Sequence, residues 1–152
     1  MFKKILLSIF LSIFISSCGY TPVHLSQGNN SFYVSDIVYN GDAELNKLID
    51  RKLFRHSNKN NPKAISIVVD STYSKSSQIK NSAGNTTQFL LQVEFQFEIT
   101  HNDKVNNFII IEKFVLKNLS DEYEERKYEK TIKNNLTSLV LEKLILQISR
   151  LK

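Results

Sequence analysis

Strict alternation of apolar and polar residues from Phe89 to Thr100 constrains this chain more than any other feature. Six apolar side chains occupy every second position from Phe89 to Ile99, and all but one of the residues between them are polar. Successive side chains of an extended strand point to opposite faces of a sheet. The segment is therefore predicted to be a long strand with one packed face and one hydrated face. Such a face requires a second layer to cover it.

Three other segments have the composition of strands. Phe32 to Tyr39 is rich in aromatic and β-branched residues, Ala64 to Tyr73 carries apolar residues on one face, and Phe108 to Leu116 is apolar almost throughout. His101 to Lys104 has the composition of a hairpin turn before the last of these strands. The segment from Ser74 to Thr87 is rich in Ser, Asn and Lys, and we predict a polar loop there.

The strand predicted from Phe108 to Leu116 is apolar on both faces. One face would carry Phe108, Ile110, Phe114 and Leu116, and the other Ile109, Ile111 and Val115. A strand of this kind is an aggregation hazard when it is left uncovered. We therefore expect a burying partner, either within the domain or outside it.

A first helix is predicted after the Asn40-Gly41 turn, with Asp42 as its N-cap. Residues at helical spacing form one apolar stripe, which consists of Leu45, Leu48, Ile49, Leu53 and Phe54. The segment from Asn58 to Pro62 would end the helix.

Basic residues are concentrated in the last turns of this helix, namely Arg51, Lys52, Arg55 and His56. Positive charge at a helix C-terminus interacts favourably with the helix dipole. That is the simpler interpretation, and an anion-binding site is the alternative.

A second helix is predicted to run to the end of the chain. Asp121 and Glu124 have the spacing of a capping box. The apolar stripe that follows consists of Ile132, Leu136, Leu139, Val140, Leu144, Ile148 and Leu151. The order strand, helix, three strands, helix predicts an α+β two-layer sandwich, in which two helices pack on a four-stranded, mostly antiparallel sheet.

The first seventeen residues have the features of a bacterial lipoprotein signal peptide. Lys3 and Lys4 precede an apolar run from Ile5 to Ile15, which is shorter than the roughly 20 apolar residues that a membrane-spanning helix needs. Ile15-Ser16-Ser17-Cys18 resembles the lipobox that lipoprotein signal peptidase reads. We expect residues 1–17 to be removed, Cys18 to carry the lipid, residues 18–31 to form a tether, and residues 32–152 to form one domain.

The lipid on Cys18 would anchor the mature chain to a membrane, because each buried methylene of an acyl chain contributes about 0.8 kcal/mol. In familiar enterobacterial sorting an aspartate after the cysteine retains lipoproteins in the inner membrane. Gly19 stands at that position here, which favours the outer membrane. Cys18 is the only cysteine, so no disulfide can form within the monomer.

Charge and motif content favour a binding role over catalysis. Removal of Lys3 and Lys4 leaves 18 basic against 15 acidic residues, and no nucleic-acid-binding module is present, so no nucleic-acid partner is expected. The three histidines, His24, His56 and His101, lie in a tether, a helix end and a turn. No catalytic or metal-binding motif occurs. We expect no enzyme activity, no metal and no cofactor apart from the covalent lipid.

These features together resemble the LPS-assembly lipoprotein family LptE. Cys18-Gly19-Tyr20-Thr21-Pro22 is similar to the start of its alphaproteobacterial members, and the order of predicted elements matches across nearly the whole mature chain. The Asn40-Gly41 turn before a Leu-rich helix and the final Ile148-Ser149-Arg150-Leu151 also match.

The resemblance implies an outer-membrane lipoprotein that faces the periplasm and lies in the lumen of the β-barrel LptD. Such a protein assists the assembly of the barrel, plugs it, and helps to insert lipopolysaccharide into the outer leaflet. Lipopolysaccharide carries phosphates and carboxylates, which cations would meet. We hypothesise that Lys75 and Lys80 contribute, because both lie in the predicted loop without nearby acids. Simple solubilising charge is the alternative.

Two other functions stay open. The first is an auxiliary lipoprotein of another envelope lipid transporter of the ABC type. The second is a lipid-anchored envelope enzyme or inhibitor. An enzyme predicts a pocket in which polar groups converge, whereas a barrel plug predicts a compact domain without one.

Overall fold

The computed structural model describes residues 32–151. The predicted signal peptide, the lipidated Cys18, the tether over residues 18–31 and His24 lie outside the described residues.

Four strands and two helices form two layers. In chain order they are β1 (Tyr33–Gly41), α1 (Ala43–Leu53) with a 3₁₀ turn (Phe54–His56), β2 (Ala64–Lys80), β3 (Thr86–His101), β4 (Lys104–Lys117) and α2 (Glu122–Arg150). The strands follow one another in the sheet in sequence order, with β1 parallel to β2 and the other pairs antiparallel. The first pair is parallel because α1 crosses over between its strands. The predicted α+β two-layer sandwich is confirmed.

The strict alternation in β3 places its apolar residues in the core. Leu91, Val93, Phe95, Phe97 and Ile99 are all buried, and the rings of Phe95 and Phe97 stack at 5.7 Å between centroids. Both helices cover this face. They contribute Leu45, Ile49 and Leu53 from α1, and Ile132, Leu136, Val140, Leu144 and Ile148 from α2. We call this side of the sheet the covered face.

Both predicted N-caps are present. Asp42 accepts a hydrogen bond from the backbone N–H of Leu45 at 2.9 Å. Asp121 accepts from the N–H groups of Tyr123 and Glu124 at 2.8 and 3.2 Å. These carboxylates satisfy donors that the first turn of a helix leaves without partners.

Gly41 permits the tight passage from β1 into α1. Its φ is +85°, and a Cβ at this position would lie 2.0 Å from the carbonyl oxygen of Ser71. The N–H of Asp42 donates to that same oxygen at 2.8 Å. The buried Ser71 hydroxyl is also satisfied, since it lies 2.8 Å from Oδ1 of Asn46. Only glycine fits here without strain.

The polar loop predicted from Ser74 to Thr87 is wrong. β2 continues to Lys80 and pairs with β3 from Thr86, so the connection is only the turn between these two residues. Asn81 closes this turn by accepting from the N–H of Gly84, whose φ is +82°. The side chains of this arm are polar because most are exposed to water, and the pairing uses backbone groups that composition does not reveal.

Two residues of the predicted apolar stripes are exposed instead of buried. Phe54 is displaced because α1 ends at Leu53 and the chain continues as a tighter 3₁₀ turn, which changes the angle between successive side chains. Leu139 projects about 100° from Val140 around α2, away from the buried Leu141.

Candidate functional site: the open face of the sheet

The face of the sheet opposite the helices is not covered by any described element. We call it the open face. Its most apolar part is a column along β4 that consists of Val105, Ile109, Ile111 and Val115. Ile109 is 64% exposed and Ile111 42% exposed. Sequence analysis predicted this second apolar face and a partner to cover it, and residues 32–151 do not supply the cover.

Two smaller apolar contacts extend the open face. Val115 lies opposite Leu90 of β3. Val38 and Val68 lie opposite each other on β1 and β2, and both are exposed. Strand composition could not predict the Val38–Val68 pair, because the pair depends on the register that joins β1 to β2.

Carboxylates occupy the middle of the open face. Glu94 lies opposite Ile111 and Glu98 lies opposite Asn107 on β4. Asp70 of β2 lies opposite Gln96, whose side-chain amide donates to Glu94 at 3.1 Å. A shallow depression of about 290 Å³ lies here, with Asp70, Glu98 and Ile109 in its wall. The open face therefore presents an apolar column beside a row of negative charge.

Within residues 32–151, β4 pairs with β3 alone, so its other edge adds unpaired backbone groups to this surface. The strand is 14 residues long, and from Val105 to Ile111 it carries no charged residue. The other edge strand, β1, has a register shift between Val34 and Asp36. Proteins protect sheet edges with bulges and charges, and a long apolar edge that lacks them invites pairing. The β4 edge is the less protected of the two.

The structure places Lys75 in an ion-pair cluster instead of a mobile loop. Its ammonium lies 2.8 Å from Glu125 and 2.9 Å from Glu129 of α2. It also lies 4.5 Å from the centre of the Phe89 ring. The premise that Lys75 lacks nearby acids is therefore wrong. The two acids that pair with Lys75 are 50 and 54 residues away in sequence, so the composition near Lys75 could not reveal them.

Titration shifts in this cluster follow from its contacts. Burial lowers the pKa of Lys75, but hydrogen bonds to Glu125 and Glu129 outweigh burial, and the pKa lies above its ordinary value. The hydrogen bond from Lys75 is the main cause that lowers the pKa of Glu125. Burial alone would raise the pKa of Glu129. Hydrogen bonds from Tyr73 and Lys75 outweigh burial, and the pKa lies below its ordinary value. Burial and the bond to Glu129 raise the pKa of Tyr73. The cluster joins the β2–β3 arm to the start of α2.

Lys80 lies at the end of β2, is exposed, and has no ion pair within residues 32–151. It lies five positions along the strand from Lys75, which corresponds to about 16 Å. The two lysines therefore do not converge on one site. Their predicted contact with lipopolysaccharide stays a prediction.

Other candidate groups are separate from one another in the described part of the chain. His101 lies within hydrogen-bond distance of the carbonyl oxygen of Ala64, at 2.9 Å, and His56 ends the 3₁₀ turn. Residues 32–151 contain no cluster of three His, Cys, Asp or Glu side chains that could hold a metal ion. Within the same residues, no helix combines the length and apolarity needed to cross a bilayer.

Solved structures with a similar fold include bacterial lipoproteins. Rare lipoprotein B from Shewanella oneidensis is 11% identical and has a TM-score of 0.55, with 74% of this chain and 95% of that chain covered. Lipoprotein B from Nitrosomonas europaea is 12% identical with a TM-score of 0.56, over 79% of this chain and 85% of that chain. No protein-family model and no curated protein matches the sequence. At these identities the likeness concerns the fold.

Proposed function

We propose that this chain is a lipid-anchored outer-membrane protein of the LptE type. It forms a complex with an LptD-like β-barrel, plugs the lumen, and assists assembly of the barrel and insertion of lipopolysaccharide. The observation that carries the proposal is the open face, which exposes Ile109 and Ile111 beside a row of carboxylates. The lipobox at Cys18 and the fold shared with lipoproteins support the same conclusion.

A barrel lumen provides a suitable cover for such a face. The interior wall of an outer-membrane barrel is largely polar, so its basic side chains would pair with Asp70, Glu94 and Glu98. The apolar column of β4 would rest on the apolar groups that the wall presents. Removal of that column from water would favour association, and the surplus over the costs of ordering and desolvation would appear as affinity. The charge pattern determines the orientation of the domain.

Lipopolysaccharide would contact a different surface. Its anionic groups would be repelled by the carboxylates of the open face, and Lys75 already pairs with two acids. Lys80 is exposed on the β2–β3 arm and is the better candidate of the two lysines. Charge reversal of both Lys75 and Lys80 should weaken lipopolysaccharide binding, with most of the loss due to Lys80. Unchanged binding of the double variant would remove both residues from the proposal.

The complex is tested by photo-cross-linking in intact cells. A photoreactive amino acid replaces Ile109 in the tagged, lipidated protein, and cross-linked products are identified by mass spectrometry after purification from detergent-solubilised outer membranes. We expect a stoichiometric product with the lipopolysaccharide-exporting barrel.

Leu146 is the matched control for Ile109. It is also a large, exposed apolar residue, but it lies on α2 on the other side of the molecule. Cross-linking at position 109 that exceeds that at 146 supports the open face as the interface. A product with an ABC-transporter component, or co-purification without any barrel, would contradict the proposal.

A further inference from the structure

One end of the domain gathers the first described residue, the end of α1 and the end of α2. Phe32 forms a parallel bridge with Ser57, and its carbonyl oxygen accepts from the N–H of Asn58 at 3.0 Å. Lys63 donates to the carbonyl oxygens of Ile148 and Leu151 at 2.8 and 2.7 Å. We call this end the basic end, and define it as Phe32, residues 54–59, Lys63, residues 101–104 and residues 148–151.

Positive charge exceeds negative charge at this end. Asp103 is the acid within it, whereas the basic residues are Arg55, Lys59, Lys63, Lys104 and Arg150. None of these five forms an ion pair within residues 32–151. The helix-dipole interpretation accounts for Arg51 and Lys52, which lie in the last turn of α1. It does not account for Lys59 or Lys104, which belong to other elements.

Phe54 projects from the basic end into solvent. It is 74% exposed, which makes it the most exposed of the large apolar side chains in the described residues. Arg51 and Arg55 flank it in sequence, and a cleft of about 320 Å³ opens beside it between α1 and β1. Leu53 and Ile37 line this cleft together with two acids, the exposed Asp36 and Asp50, whose carboxylate accepts a hydrogen bond from Tyr39 at 2.8 Å. An exposed aromatic ring among cations is the combination that binds the interface of an anionic bilayer.

We propose that, before the domain enters a barrel lumen, its basic end rests on an anionic lipid bilayer, with the Phe54 ring in the headgroup region and Arg55 and Lys59 against lipid phosphates. This orientation depends on the lipid anchor of the proposed function. Thirteen residues separate Cys18 from Phe32. Fully extended they span at most about 45 Å, and the chain enters the described residues at Phe32, in the basic end.

The opposite end of the domain carries cations that are balanced by acids. There α2 begins with Asp121, Glu122, Glu124 and Glu125, and ion pairs join Glu122 to Arg126, Glu124 to Lys127 and Glu125 to Lys75. The five cations of the basic end have no such ion pairs within residues 32–151, so charge and anchor point favour the same orientation. The open face, with its own carboxylates, remains available for a protein partner.

Tryptophan fluorescence tests this orientation in the whole lipidated chain. The sequence contains no tryptophan, so Phe54→Trp introduces a single reporter. Tyr123→Trp is the matched control, because Tyr123 is 65% exposed and lies at the opposite end. Each protein is reconstituted into vesicles of phosphatidylethanolamine and phosphatidylglycerol that include brominated lipid. We expect blue-shifted emission and quenching by brominated lipid for position 54, and acrylamide quenching without lipid quenching for position 123.

Neutral substitutions then test the charges. Each basic residue near an anionic surface contributes about a five-fold factor in binding. Arg55→Gln with Lys59→Gln should therefore reduce the ratio of docked to undocked domain by about 25-fold. Arg126→Gln with Lys127→Gln should leave the ratio unchanged. On vesicles of phosphatidylcholine alone, the domain with Arg55 and Lys59 intact should show the same reduction in the ratio of docked to undocked domain.

Equal lipid quenching at positions 54 and 123, or stronger quenching at 123, would overturn the proposed orientation while the anchor itself stands. Retention of lipid quenching in the Arg55→Gln, Lys59→Gln variant would also overturn it. Mass spectrometry of the Cys18 peptide distinguishes failure of the lipid anchor from failure of the orientation. If this peptide carries no acyl chain, the anchor of the proposed function fails, and the orientation fails with it.

Discussion

The covered and open faces of the sheet are built from the same strands but differ in what fills them. On the covered face the apolar residues of β3 meet helix residues, and nearly every large side chain is buried. On the open face the apolar residues are concentrated on β4, beside carboxylates on β3. Folding explains the first pattern, because a sheet must bury one face. It does not explain the second, since an apolar column in water contributes little to stability, and this residue pattern therefore indicates a partner.

The largest expected difference between the faces is in stability. Phe95→Ala should destabilise the fold by about 3–5 kcal/mol, because it leaves a cavity beside the stacked Phe97. Ile109→Ala should cost about 0.5 kcal/mol or less, because the side chain is already in water. Denaturant unfolding of the two variants measures both values. A cost at Ile109 close to that at Phe95 would mean that the open face is covered in the isolated chain.

Gly41→Ala tests the turn that sets the register between β1 and β2. A residue with a Cβ must leave the left-handed region or push against the carbonyl of Ser71, and we expect a loss of about 3 kcal/mol. Gly84→Ala is the control, since its φ is also positive but its surroundings are open. It should cost about 1 kcal/mol. Similar losses of stability at both positions would show that the left-handed backbone conformation alone causes the loss. The close approach of Gly41 to β2 would then contribute nothing.

The Lys75 cluster predicts a pH dependence of stability that originates on the covered side of the sheet. The pKa values of Glu125 and Glu129 are lowered in the folded protein. Their contribution to stability is therefore full above the unfolded value of about 4.3 and is lost as pH falls through the lowered values. The pKa of Lys75 is raised. Its contribution is full below the unfolded value of about 10.4 and is lost as pH rises through the raised value.

Lys75→Met should remove most of this dependence and about 1–2 kcal/mol of stability near neutral pH. The control is Arg126→Gln, which breaks an exposed pair with Glu122 and should cost less than about 0.5 kcal/mol. Unfolding curves between acidic and neutral pH check both variants. If the Lys75→Met protein keeps the acid sensitivity of the parent, carboxylates outside the cluster must cause it.

The sequence predicts the covered face better than it predicts the β2–β3 arm and the ion pairs of that arm. Alternation in β3 and the helix stripes follow from burial, so they are visible in one residue pattern, as are the caps at Asp42 and Asp121. The β2–β3 arm was missed because its strands are held by backbone bonds between polar, hydrated residues. The ion pairs of Lys75 were missed because they join residues that are 50 or more positions apart.

The sequence predicts the apolar residues of the open face but not its carboxylates. Ile109, Ile111 and Val115 were identified because apolar residues on both faces of one strand need two covers. The row of carboxylates beside them could not be identified in advance, because it depends on the register between β3 and β4. Helical periodicity includes Phe54 in the apolar stripe of the first helix, since it does not show that the helix tightens into a 3₁₀ turn after Leu53.

The most direct test of the account combines Ile109→Asp with Ile111→Asp and measures both unfolding and barrel co-purification. These side chains are 64% and 42% exposed, and an aspartate at position 111 would lie opposite Glu94, so the free energy of unfolding should fall by about 1 kcal/mol per site while the domain stays folded. Loss of the barrel from pull-downs of lipidated protein, with folding intact, is the predicted result. Full retention of the barrel by the folded double variant would contradict the claim that the open face is its binding surface.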